Sequence, residues 1–122
     1  MDIALWTAQV LLAIVFAGSG VAKSTMSKDR LLATGQTGVA TFPMPVVRFT
    51  AAMELLAAVG LILPWATGIA HVLTPAAAVG LGIVMVGAAG SHIRLGELRN
   101  VAANGVLFAL CLFVAISRFG QL

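Results

Sequence analysis

VVRFTAAMELLAAVGLILPW, residues 46–65, reads as a membrane crossing with one anomaly at its centre. Twenty residues at about 1.5 Å each cover roughly 30 Å, the depth of a hydrocarbon core. Pro43 and Pro45 precede the run and Pro64 closes it. Arg48 stands just inside its start, and Glu54 lies eight positions in, roughly 12 Å from that end. A carboxylate at such depth costs about 2.5–3.5 kcal/mol on insertion scales and normally faces a bundle interior. Glu54 therefore either holds its proton or is paired. Arg48 is a poor partner on the same helix, because six residues rotate the two side chains about 120° apart. Thr50, four residues earlier, shares the Glu54 face. A cation from another helix, or an Arg48 side chain bent inward, is expected to answer the charge.

Three further runs cross in the same way, over residues 3–22, 69–90 and 101–117. Of the 122 residues 61% are hydrophobic and 9% charged, with a mean hydropathy of +1.08. A soluble domain carries about 25% charged residues, so this chain cannot clothe a water-facing surface. A soluble enzyme, a nucleic-acid-binding domain and a disordered tail are excluded. The net charge of +3 comes from scattered Lys and Arg flanking apolar blocks, which is the pattern that sets membrane topology. Residues 1–22 are read as a retained span, since Asp2 stands where a signal peptide has a positive segment. The fold expected is all-α: one antiparallel four-helix membrane domain over residues 1–122.

Lys23, Lys28, Arg30, Arg48, Arg94 and Arg99 gather on one side and Arg118 alone on the other. By the positive-inside rule both termini face outward, which puts Trp6 and Trp65 at the outer interface. The loop between the first two spans is the only long one. In it Ser27 is expected to cap a short interfacial helix, with Leu31 and Leu32 facing lipid. Small residues at Gly18, Gly20, Ala76, Gly80, Ala78, Gly82, Gly87 and Gly90 are placed for close helix packing. Pro75, read as lying inside the third span, predicts a kink that frees the His71 carbonyl, with Thr74 or water as substitute donor. Gln9 and His71 read as isolated polar residues of the outer half.

Polar residues recur at the depth of Glu54. In an antiparallel bundle the inner ends meet, and Lys23, Arg48, Glu54, His92, Glu97 and Asn104 are expected to line one cytoplasm-facing pocket. Asn100 and Asn104 share a face of the fourth span, and Cys111 extends that stripe. The single cysteine excludes a dithiol relay, and two histidines without Cys or carboxylate at ligand spacing give no metal motif. Glu54 and His92 are the candidate catalytic residues, since a buried acid opposite a base suits general acid–base work.

The order of these residues resembles the DoxX-like family of small four-helix bacterial membrane proteins. The resemblance rests on Gly20-x-x-Lys23, the run from Glu54 to Pro64, and Pro75-Ala76-Ala77. It continues through Gly80-Leu81, Met85-x-Gly87-Ala88, His92 with Glu97, and Asn104, and departs at Ser24, where the family commonly has Leu. It implies a protein of the bacterial cytoplasmic membrane, linked to redox or sulfur metabolism, with a quinone or other lipophilic small molecule as ligand. No haem, flavin or iron–sulfur motif is present, so electron transfer requires a partner redox subunit; a homo-oligomer is the other partner considered. Two alternatives stand beside this. One is a membrane enzyme isomerising or cyclising an apolar substrate with Glu54 as acid. The other is a small proton-coupled transporter, disfavoured because the first span carries no intramembrane acid.

Overall fold

The computed structural model describes residues 2–122 as helices and their connections, with no strand among them. Helix α1 spans Asp2–Thr25, α2 Lys28–Ala33, α3 Met44–Thr67, α4 Leu73–Arg94 and α5 Leu98–Gly120, and a 3₁₀ turn over Thr37–Thr41 follows α2. The four long helices are each apolar enough to cross a bilayer. Adjacent pairs run antiparallel. Helix α1 packs on α3, α3 on α4 and α4 on α5, while α1 and α5 close the ring with a slighter contact.

The bundle is apolar outside and buries polar residues within. Ile14, Leu56, Ile83, Val106 and Ile116 point outward, whereas Gln9, Glu54, Thr74, Ser91, His92, Asn104 and Arg118 are buried. In water that pattern would be unstable, but in lipid it leaves hydrocarbon against hydrocarbon and lets polar groups pair internally. Between the polar levels lies an apolar core that includes Leu12, Phe16, Leu61, Leu81, Met85 and Val114.

Small residues permit close approach at fewer places than the sequence pattern implied. A Cβ on Gly20 would stand 2.7 Å from the Leu55 side chain and 3.1 Å from the Ala51 carbonyl, so α1 and α3 touch there almost backbone to backbone. One on Gly60 would stand 3.1 Å from Ala77, at the α3–α4 crossing. Gly18, Gly80, Gly87 and Gly90 have no such neighbour within 4 Å.

The two prolines exchange the roles expected of them. Pro75 sits in the first turn of α4, where no intrahelical donor is needed, so it produces no kink at His71. Pro64 does not close α3, which runs on to Thr67 and ends at Gly68 with φ +75°. Its missing N–H frees the Gly60 carbonyl inside a membrane helix. The Thr74 hydroxyl donates to that carbonyl at 2.8 Å, and the next carbonyl, Leu61, accepts from Gln9 Nε2 at 2.6 Å. Thr74 is thus the substitute donor, acting on a different helix from the one expected.

Candidate functional site

Glu54 is 1% exposed and its Oε1 accepts from Lys23 Nζ and Ser19 Oγ, both on α1 and both at 3.2 Å. The close α1–α3 crossing at Gly20 sets this pairing. The helix geometry that disqualified Arg48 holds: its side chain is exposed and Nη1 donates to the Lys23 carbonyl, in the last turn of α1. Arg48 thereby satisfies a helix-end carbonyl and does not line the site. Thr50 lines the site but makes no bond to Glu54; Ser19, which the sequence did not single out, does.

Lys23, Glu54, His92 and Asn104 border one cavity of about 590 Å³ in the half of the bundle where α1 and α4 end and α3 and α5 begin. That volume is within the usual range of small-molecule sites. Its walls are mostly apolar, from residues such as Phe16, Val47, Met85 and Leu107, with the polar residues set among them. Several of the residues that border it are exposed on the surface of the bundle: Val15 and Gly18 on α1, Val46 on α3, Ile83 and Gly87 on α4 and Ala103 on α5.

The connection after α1 contributes to the wall, through residues such as Gln36, Val39 and Phe42. Leu31 is fully buried against Val39 and Val47, contrary to the lipid-facing position expected, while Leu32 is only partly covered. Ser27 does cap α2, accepting from the Arg30 N–H. The Lys28 ammonium donates to the Phe42 carbonyl. The 3₁₀ turn then lies across the end of α4: Ser91 Oγ donates to the Gly38 carbonyl at 2.6 Å and bonds Thr41 Oγ1 at 2.6 Å. Gly38 lies close under the imidazole, where a Cβ would stand 3.1 Å from His92 Nε2.

Glu97 lies outside the cavity wall, a second departure from the expected ligand set. Its Oε1 accepts from His92 Nδ1 and from Thr37 Oγ1, each at 2.7 Å. Glu97 therefore orients the imidazole and holds the 3₁₀ turn. The hydrogen bond from His92, and secondarily that from Thr37, keeps its carboxyl below the usual carboxylate range. A lowered folded-state value means the contribution is complete above the ordinary carboxylate pKa and is lost as pH falls through the lowered one. The Thr37 amide resonance is expected to shift only below the ordinary carboxylate range, and Glu97→Gln to abolish that titration; an unchanged titration in the variant would refute the attachment.

At the opposite end the structure holds a cluster that sequence reasoning missed. Arg118 was expected at the interface and is 1% exposed. Its guanidinium donates to Gln9 Oε1 at 2.8 Å, Asp2 at 3.0 Å and Gln121 at 2.6 Å. It also lies 4.5 Å from the Trp65 ring centre and 5.6 Å from that of Trp6. Gln9 is therefore not isolated, and His71 stands edge-on to Trp65 at 4.9 Å.

Among the described residues, three buried side-chain atoms have no hydrogen-bond partner: Glu54 Oε2, Asn104 Nδ2 and Arg118 Nη2. The first two belong to residues of the same cavity wall. No curated protein and no solved structure gives a significant match to this chain. A model of the DoxX-like family matches residues 7–114, a stretch that contains the whole cavity wall and ends short of Arg118. The chain belongs to the DoxX-like family.

Proposed function

We propose that this protein is a redox-associated accessory subunit that binds a quinone-like lipophilic molecule in its inner cavity. The observation that carries the reading is the cavity itself, a largely apolar wall to which Lys23, Glu54, His92 and Asn104 contribute. A wall of that kind suits a ligand with a polar head and an apolar body. Exposed wall residues on the long helices are where a lipid-soluble molecule would enter from the hydrocarbon. With no cofactor motif in the chain, electrons would pass through a partner redox subunit.

The membrane would be the bacterial cytoplasmic one, with both termini outside and the cavity in the cytoplasmic half. The basic residues of the inner end support this. Arg118, the only cation of the other end, is buried beside Asp2 and adds little positive charge to that surface. The enzyme reading loses support because Glu54 faces the Lys23 ammonium, which favours the carboxylate over the acid that reading needs.

The test is mass spectrometry of small molecules retained in mild detergent. Wild type is expected to hold a quinone-like molecule near one per chain, and Lys23→Met/Glu54→Leu, which removes the polar end while leaving no lone charge, to lose it. An empty wild-type protein, or equal retention in both, would refute the proposal.

A further inference from the structure

The cavity lies between two helix pairs, α1 with α3 and α4 with α5, each packed more closely within itself than against the other. At the far end of the bundle, side chains cross directly from pair to pair. Arg118 on α5 donates to Gln9 and Asp2 on α1, and Thr74 on α4 donates to the Gly60 carbonyl on α3. At the cavity end the long helices bond within their pairs instead. Lys23 and Ser19 donate to Glu54, Arg48 donates to the Lys23 carbonyl, and His92 bonds Glu97. Among the described residues, every side-chain hydrogen bond that crosses between the pairs at this end runs through residues 36–42. We propose that this segment is a latch: its release from α4 and α5 parts the two pairs here and admits water-soluble molecules to the cavity, while the Arg118 end stays clasped. The latch needs the cavity and is independent of which ligand the cavity holds.

The segment belongs to the first pair by its apolar packing. Val39, its one buried residue, packs with Leu31 and Val47, and Phe42 joins a cluster that includes no residue of α4 or α5. Gln36 Nε2 adds a bond to Ser19 on α1 at 3.4 Å. The hold on the second pair is polar. Ser91 Oγ on α4 bonds both the Gly38 carbonyl and Thr41, while Thr37 donates to Glu97 and accepts from Asn100 Nδ2 at 3.4 Å. Bonds of this kind exchange for bonds to water at a small net cost, whereas parting the apolar cluster would expose hydrocarbon. The weak line therefore runs between the segment and the second pair. Gly35, Arg94 and Arg99 are exposed at this end, where water reaches it. Gly38, Val39 and Phe42 border the cavity from one side of the line, and His92, Asn100 and Asn104 from the other, so parting it opens the cavity.

Access can be read with a thiol on the cavity wall. Cys111 is buried and is removed as Cys111→Ala; Thr50, half-buried on the wall, then carries the probe as Thr50→Cys. A charged methanethiosulfonate, which does not cross lipid, is added to the full-length protein in nanodiscs and the labelling rate followed. Adding Ser91→Ala and Thr37→Val removes all four bonds of the latch and is expected to raise that rate at least about tenfold. Ser91→Ala alone is expected to give an intermediate rate, and decides the matter where the combined variant does not fold. Equal rates with and without the latch would overturn the proposal. So would a latched protein that reacts as fast as the chain unfolded in denaturant. Hydrogen exchange separates opening from unfolding: backbone amides around Arg118 are expected to stay protected in the unlatched variants, and their loss of protection would show that the bundle does not part at one end alone.

Discussion

Lys23→Met is expected to cost about 3 kcal/mol of bundle stability, because it strands the Glu54 carboxylate without the ammonium that faces it. The side chains are 13% and 1% exposed, so water does little to relieve the loss. Removing both charges together is a different perturbation. Lys23→Met/Glu54→Leu leaves no buried ion and replaces the pair with apolar groups of similar bulk, and is expected to return most of the stability. Denaturant titration of the two single variants and the double variant in mixed micelles gives the coupling directly. If the double variant is as unstable as Lys23→Met, the pair does not stabilise Glu54 in the way described. The same double variant is the one that should release the ligand, so stability and retention are separable in one protein.

Arg118→Met is expected to cost a comparable amount, about 3 kcal/mol, by a different route. The substitution removes hydrogen bonds to Gln9, Asp2 and Gln121 and the cation stacked between two indole rings. Gln9 Oε1 then has no donor at a buried position. Asp2→Asn is expected to cost less than about 1 kcal/mol, because Asp2 is 70% exposed and its pairing is screened. The chain has two tryptophans, Trp6 and Trp65, and both flank Arg118, so intrinsic fluorescence reports on this cluster alone. An Arg118→Met protein with unchanged emission and unchanged unfolding would show that the guanidinium is not structural.

The crossings were readable because length and hydropathy determine them. The recurrence of polar residues near the depth of Glu54 was readable because antiparallel helices bring alternate ends together. Those two rules place Lys23, Glu54, His92 and Asn104 around one cavity. Arg48 and Glu97 obey the same depth rule yet lie elsewhere, since depth says nothing of which way a side chain turns. Each found a nearer partner: a helix-end carbonyl for Arg48, a histidine and a threonine for Glu97. The prolines were misassigned because hydropathy continues through the α3–α4 connection, and only the start of α4 at Leu73 tells which proline is interior. Leu31 looked lipid-facing on a short amphipathic helix, but the following turn folds back over it. Arg118 was the largest omission. A cation at the end of a span is ordinary in sequence, and nothing near it announces that Gln9, 109 positions earlier, will meet it.

That contact has a consequence for the order in which the protein is made. Gln9 enters the membrane on the first helix with a polar amide that lipid cannot satisfy. Its Nε2 finds the Leu61 carbonyl once α3 has been inserted, but its Oε1 waits for residue 118, near the end of the last crossing. Three inserted helices are therefore an unfinished ring, with the seam between first and last still facing lipid. Biogenesis would then have a defined final step: arrival of the fourth crossing fastens that seam at the end where Gln9 and Arg118 meet.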